Sequence, residues 1–267
     1  PATILSHASG AAGQMYLIQK DALKLIPADL VGLKSIAPDA GKAPSEREDT
    51  AREFSPEVLV SNLPYNVAVP VLLHLFAAFP SLKRALVMVQ KEVAQRLCAT
   101  PGSKVYGVPS VKIAWYGKAR MGSEISRRVF YPQPNVDSAL VEITREIKVP
   151  GRDVLEGGVS DFALQTELSR EQKEEERQAV FNLIDQAFAS RRKMLRAGLK
   201  SWAQPLAAAP LLQACGIDPT ARAENLSVEH FTALARVRGA LLAGFENSQA
   251  DFSGQNVSGE GEPQDCE

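Results

Sequence analysis

The 267 residues are 45% hydrophobic and 23% charged, a globular composition long enough for one or two domains with a sizeable core. Three dispersed cysteines (Cys98, Cys215, Cys266) and three dispersed histidines (His7, His74, His230) have no ligand spacing, which argues against a disulfide framework or a metal site and for a reducing, cytoplasmic setting. The net charge of −1 conceals an asymmetry: residues 246–267 hold six acidic and no basic side chains, so the rest of the chain carries +5, a balance that suits a nucleic-acid binder with an acidic disordered tail.

In chain order, Met15–Gln19 reads as a short buried strand ending at Lys20-Asp21-Ala22. Residues 32–57, rich in charge, Pro and Ala, read as a long surface loop. Glu57–Asn62 is the next strand and Val69–Phe79 the helix behind it; that apolar stretch, interrupted by Pro70 and His74, is too short to cross a bilayer, and no secretory signal opens the chain. Arg84–Gln90 is a third strand, followed by a helix from Lys91 to about Cys98. Strand and helix alternate, as in a doubly wound α/β sheet, and Ala139–Thr144 alternates as a late antiparallel strand. Residues 148–177 form a second charged stretch whose EQKEEERQ reads as a solvated helix start. From Ala179 onward the spacing of Val180, Phe181, Ile184, Ala187 and Phe188 is helical. Gly216 reads as a helix C-cap, and Ser227 with Glu229 as the start of a last helix through Leu242. The expected organisation is therefore an α/β domain over 1–146, a charged linker or insertion over 147–178, a helical RNA-binding domain over 179–245 and a tail over 246–267.

The most informative string is VLVSNLPYN at 58–66, where an apolar strand ends in an amide, a rigid proline and an aromatic ring. In α/β sheets of this kind ligands sit beyond the carboxyl ends of strands. An exocyclic amine on a nucleobase is a poor nucleophile because its lone pair is delocalised into the ring. Acceptors that bind its N–H groups favour a more tetrahedral nitrogen. Asn62 offers a side-chain carbonyl, Leu63 a backbone carbonyl aimed by Pro64, and Tyr65 a face on which a flipped base can stack. The tetrapeptide alone is short enough to arise by chance, with Asn62 closing a turn and Tyr65 in a core. It also occurs in enzymes that methylate adenine in DNA or glutamine in proteins.

VQKEVAQRL (89–97), GSKVYGVPSV (102–111), FYPQPNVDSALV (130–141), AFASRRKMLR (187–196) and GIDPTARAENLSVEHF (216–231) follow in order. With NLPYN they resemble the ribosomal RNA adenine dimethyltransferases of the KsgA family from about Met15 to Val237, broken by the two charged stretches. The resemblance implies a Rossmann-like methyltransferase sheet with a small all-helical C-terminal domain. It also implies S-adenosylmethionine (SAM) as methyl donor and dimethylation of N6 on two adjacent adenosines near the 3′ end of small-subunit (16S) ribosomal RNA, on the pre-30S subunit, by a monomer without metal or membrane.

Residue by residue, the resemblance makes Asp21 and Ala22 a contact to the cofactor's adenine. It places Asn62 between cofactor and target amine, completes the catalytic turn with Leu63, Pro64 and Tyr65, and sets Phe130 against the flipped base opposite Tyr65. Read from the residues alone, Asp21 is a helix N-cap or turn residue, and Phe130 is as much a core anchor as a clamp. Candidate phosphate contacts are Lys91, Arg96, Lys104, Arg127, Arg128, Arg191, Arg192, Lys193 and Arg196, with 191–193 expected to open a helix. His74 reads as a core histidine.

The family's glycine-rich turn after a first strand, and the acidic residue after a second, have no counterpart here. SHASGAAGQ at 6–14 has small residues but no apolar strand before it. The sequence, which begins at Pro1, is therefore expected to lack the family's N-terminal cofactor-binding segment, to bind SAM weakly or not at all, and to be inactive as it stands. Rival readings are a large-subunit resistance methyltransferase, a non-catalytic ribosome-assembly protein that binds RNA, and a protein-glutamine methyltransferase.

Overall fold

The computed structural model describes residues 3–4, 16–31, 33, 55–146 and 169–254. The glycine-bearing stretch 6–14, most of the 32–57 loop, residues 147–168 of the second charged stretch and the end of the acidic tail lie outside the described residues. The chain divides into two units: one of residues 1–99 and 112–148, the other of residues 100–111 and 149–267.

The first unit opens with a two-stranded antiparallel pair, β1 (Thr3–Ile4) and β2 (Tyr16–Leu17), the latter the core of the strand expected at 15–19. Single 3-10 turns follow at Ala22–Lys24 and Pro27–Leu30. Then come β3 (Val58–Asn62), α1 (Ala68–Ala78), β4 (Arg84–Gln90) and α2 (Lys91–Leu97), each within a residue or so of its predicted limits. Periodicity is a local property, so these elements could be read directly. In α1, Ala68, Val71, Leu72, Leu75 and Phe76 recur at helical spacing and are all buried. Pro70 falls in the first turn, where a missing N–H breaks no helical hydrogen bond.

After α3 (Val108–Tyr116) the chain forms β5 (Gly117–Ile125) and returns as β6 (Ser138–Arg145). The sheet order is β3-β4-β6-β5. Only β3 and β4 are parallel, in register from Val58 opposite Arg84 to Asn62 opposite Met88; β6 runs antiparallel to both β4 and β5. The sheet is thus mixed rather than wholly parallel. Strand β6 is the antiparallel strand expected at 139–144, and it buries Ala139, Val141 and Ile143 beside Ala85, Val87 and Val89 of β4. Strand β5 left no pattern to read: GKARMGSEI has scarcely an apolar alternation, and pairing with β6 holds it extended, with an irregularity between Met121 and Glu124. Arg145 at the end of β6 turns inward. Its Nε donates to the Leu82 carbonyl (2.6 Å) and its Nη2 to that of Phe76 (2.7 Å), while the guanidinium lies over the rings of Phe76 and Tyr116.

The second unit is helical. Helix α4 (Arg170–Ala189) begins within the charged stretch and nine residues before the domain start expected at 179. A capping box explains this start: the Ser169 hydroxyl accepts the Gln172 N–H, and the Gln172 side chain accepts the Ser169 N–H. Short helices α5 (Leu195–Gly198), α6 (Lys200–Ala203) and α7 (Ala208–Ala214) follow, then the long α8 (Val228–Gly254). The final helix runs past Leu242, so the first residues of the expected disordered tail, 246–254, are helical. Val180, Leu183 and Ile184 of α4, Leu212 of α7 and Phe231 and Leu234 of α8 are fully buried.

Residues 100–111, assigned by their place in the sequence to the α/β part, cluster with this unit. Tyr106 is buried there, donates its hydroxyl to the Leu226 carbonyl (2.8 Å), and faces Phe188, which in turn faces Phe231.

Candidate active site

Strand β3 ends at Asn62, just before Pro64, and the next residue makes its last bond to β4. The Leu63 N–H donates to the Met88 carbonyl of β4 (3.1 Å), and the Leu63 side chain is buried. Pro64 then turns the chain, and its carbonyl accepts the Val67 N–H (3.3 Å) just before α1. The link from strand to helix is therefore fastened at both ends. Between the fastenings, the Asn62 carboxamide is exposed at the carboxyl end of a parallel strand, with no hydrogen-bond partner among the described residues.

Tyr65 is half-buried, and its hydroxyl is 3.3 Å from the Ser138 hydroxyl at the start of β6. Ser138 itself is fully buried. This contact joins the Asn62–Tyr65 turn to the foot of the loop that leads into β6. Asn62–Tyr65 form one wall of a cleft, and Phe130, Tyr131, Pro132 and Pro134 form the other. The loop wall is well tied. The Arg127 N–H donates to the Asp137 carboxylate and its Nη1 to the Asn135 carbonyl (2.9 Å each), the Lys91 N–H donates to the Asp137 carbonyl (2.9 Å), and the Phe130 N–H closes a turn onto Arg127.

The chemistry of this lining is specific in what it offers. Its side chains are one amide, two phenols, a phenyl ring, a leucine and three prolines, with no carboxylate, imidazole, thiol or amine. Such a cleft can stack a planar ring and accept N–H donors, but it holds no group suited to abstract a proton at neutral pH. Orientation is what it can supply.

Other sequence-chosen residues fall elsewhere. Asp21 is exposed and N-caps the 3-10 turn at Ala22, its carboxylate accepting the Leu23 N–H (3.0 Å), and neither residue lines the cleft. His74, on α1, is within 2.8 Å of the Leu25 carbonyl through Nε2 and so fastens the turns after β2, as a structural histidine would.

The nine basic candidates differ in their engagements. Lys91 is paired with Glu124 (2.8 Å), whose carboxylate holds the ammonium above the ordinary lysine range. Arg96 pairs with Glu92 one turn back (2.6 Å), and Arg127 is the loop staple described above. Arg128 is exposed beside it. In the helical unit, Arg191 bridges Glu224 (2.9 Å) and the Lys104 carbonyl (2.8 Å), which brings the separated Lys104 and Arg191 together. Arg192, Lys193 and Arg196 are exposed. Residues 191–193 do not open a helix: α4 ends at Ala189, and they form the turn before α5, where their charge favours the carbonyl end of α4.

Two contributors to the site, Tyr131 and Ser138, were not singled out by sequence. Both lie in the string FYPQPNVDS, yet nothing local distinguishes a ring in solvent or a hydroxyl under a distant tyrosine. Among the described residues no group of His, Cys, Asp or Glu could hold a metal ion, and no helix is long and apolar enough to cross a membrane.

Residues 4–156 match the family described as ribosomal RNA adenine dimethylase. Ribosomal RNA small subunit methyltransferase A of Nocardia farcinica is 42% identical over 236 residues, covering 88% of this chain and 67% of that protein. The protein of the same description from Streptomyces avermitilis is 50% identical over 186 residues, covering 69% and 56%. Among solved structures, a dimethyladenosine transferase from Plasmodium falciparum superposes with a TM-score of 0.51 at 21% identity, covering 76% of this chain and 72% of that one, a likeness of fold. The chain spans 56–68% of the length of its curated relatives.

Proposed function

We propose, because this chain belongs to the ribosomal RNA adenine dimethylase family, that its Asn62–Tyr65 turn holds an adenine N6 amine of small-subunit ribosomal RNA for methyl transfer. The observation that carries this reading is the cleft itself. An unpartnered carboxamide at a parallel strand's carboxyl end faces an aromatic loop, with no acid or base in the lining. The relatives' small-subunit descriptions favour that RNA over the large-subunit one.

In this reading the Asn62 side-chain carbonyl and the Leu63 backbone carbonyl accept the two N–H groups of the amine and hold its lone pair toward the donor. Tyr65 and Phe130 take the two faces of the flipped base, and the Tyr65 hydroxyl on Ser138 keeps the ring at its angle. The residues fit part of a SAM site: Asn62 is exposed and uncommitted and the Asp21 carboxylate has acceptor capacity beyond its cap, while the family's glycine-rich turn and ribose-binding carboxylate have no counterpart in the sequence. SAM supplies an electrophilic methyl carbon when bound. Asp21, Ala22 and Asn62 would hold it. The setting is cytoplasmic, the particle the pre-30S subunit and the acting species a monomer. Arg128, Lys104, Arg192, Lys193 and Arg196 meet phosphates more readily than Lys91 or Arg96, whose charges are already paired.

The test is tritiated methyl transfer from SAM to unmethylated small ribosomal subunits, mapped by primer extension, by this chain and by the same chain joined behind the N-terminal residues of its Nocardia farcinica relative. The joined chain is expected to give a stop near the 3′ end of the small-subunit RNA that weakens roughly 10²–10³-fold with Asn62→Ala, the loss typical of one oriented polar group at a reacting centre. This chain alone is expected to transfer little or nothing. A stop in large-subunit RNA would instead select the resistance-type reading. Binding of the subunit by both chains with transfer by neither would select the assembly-factor reading.

A further inference from the structure

We propose that Tyr131 is a stacking platform for the nucleotide next to the target base, a second aromatic subsite at the rim of the cleft; this rests on the reading that the cleft takes a base from an RNA strand. Tyr131 is 101% exposed, and among the described residues it is the one aromatic ring left wholly in solvent. It contributes nothing to the core, and it sits on a loop held firmly in place.

Proline follows it at 132 and again at 134, and the two Arg127 bonds to Asn135 and Asp137 close the loop's base. The ring is therefore displayed in a definite position rather than carried on a slack segment. Single-stranded nucleic acid is bound by such displayed rings, one base to each, because every base has a face to stack.

The backbone separates the two rings' tasks. Phe130 is extended (φ −102°, ψ 146°), and in extended chain successive side chains leave on opposite sides. Both residues line the cleft, Phe130 half-buried in its wall and Tyr131 wholly exposed at its rim. A base resting on Phe130 cannot also rest on Tyr131. The neighbouring base, displaced along the strand once its partner has left the stack, needs a new surface of this kind. Arg127 and Arg128 on the preceding turn bring positive charge to the same loop, as a phosphate between the two bases requires.

The experiment is a binding titration by fluorescence anisotropy with the full 267-residue chain. Three RNAs of the small-subunit 3′-terminal sequence are compared: one intact, one abasic on the 5′ side of the target adenosine, and one abasic on its 3′ side. Tyr131→Ala is expected to weaken binding to the intact RNA about tenfold, a usual loss for one stacked base. It should cost nothing further on the one abasic RNA whose missing base is the partner, while Tyr131→Trp retains wild-type affinity throughout. The ring is in solvent, so these variants keep the fold.

Unchanged affinity of Tyr131→Ala for the intact RNA overturns the proposal. So does an equal loss on all three RNAs, which would give the ring a role in the loop rather than on a base. If Phe130→Ala weakens binding and Tyr131→Ala does not, this inference alone falls. If the wild-type chain binds none of the RNAs, the proposed function falls with it.

Discussion

Arg145 carries a charge into the half-buried space beneath α1, and its position there depends on carbonyls that the helix leaves over. Phe76 and Phe79 end that helix, and their carbonyls, with that of Leu82, lie within 2.6–3.4 Å of the guanidinium nitrogens. The arrangement is a C-terminal cap delivered from β6, favoured by the helix dipole and by the adjacent rings of Phe76 and Tyr116, 5.0 and 5.5 Å from the guanidinium carbon. Burial pulls the Arg145 pKa below its ordinary value. Arg145→Met should cost about 2–4 kcal/mol in urea-induced unfolding, because it strands carbonyls that had charged donors. Arg145→Lys, with a single donating nitrogen, is expected to recover only part. A loss below about 1 kcal/mol would mean that water satisfies those carbonyls once the guanidinium is gone.

At the scale of elements, two glycines show different reasons for the same residue. Gly216 has φ 68° just past the end of α7, where its N–H donates to Gln213 and the Ile217 N–H to Leu212, a Schellman ending. A Cβ there meets open space, so Gly216→Ala should cost only the left-handed strain, about 1 kcal/mol in the unfolding free energy. Gly117 opens β5 where a Cβ would lie 2.1 Å from the Thr144 carbonyl oxygen. Main chain cannot swing aside as a side chain does. Gly117→Ala is therefore expected to cost more than about 2 kcal/mol and to raise amide exchange along β5 and β6. Equal costs at the two positions would contradict this account.

The start of α8 has a pH-sensitive cap. The His230 Nδ1 accepts from the Ser227 N–H (3.3 Å) and lies 2.9 Å from its hydroxyl, so that nitrogen must keep its lone pair. Burial lowers the His230 pKa below 6.5, with Glu229 opposing. A depressed histidine binds fewer protons folded than unfolded. Its stabilising share is thus complete above pH 6.5, shrinks as pH falls from there toward the folded pKa, and levels off below it. Urea unfolding at pH 7.5 and 5.5 should show a loss on acidification that His230→Gln reduces. A wild type equally stable at both values would exclude the cap as a titrating element.

For the whole molecule, the proposed function depends on which of its cations are free to meet an RNA. Those already paired release few counterions on binding, so they contribute little to salt dependence. Replacing Arg192 and Lys193 with alanine should reduce the slope of log affinity against log salt by about 1.4, at roughly 0.7 per phosphate contact on single-stranded RNA. Lys91→Ala, which leaves Glu124 unpaired, should barely change it. Equal slope changes from the two variants would mean that the Lys91–Glu124 pair opens to meet the RNA.

Much of this organisation could be read from the residues because its causes are local. The 3.6-residue spacing in α1 and α4, the alternation of β4 and β6, the glycine after α7 and the Asn-Leu-Pro-Tyr break after β3 are each decided within a few positions. The ordered strings that resemble the dimethyltransferases added the reaction.

Burial and pairing were decided by tertiary structure, since they depend on groups far along the chain. Tyr106 reaches Leu226 across 120 residues and Arg191 reaches Lys104 across 87, which draws 100–111 to the helices and ties a cation chosen for RNA to a carboxylate and a carbonyl. Strand β5 exists because β6 pairs with it, Tyr65 is aimed by a hydroxyl 73 positions away, and Tyr131 stays in solvent because none of the described residues folds over it. Local spacing sets which face of an element is apolar. Only the assembled chain sets which charges are already satisfied and which rings remain in water.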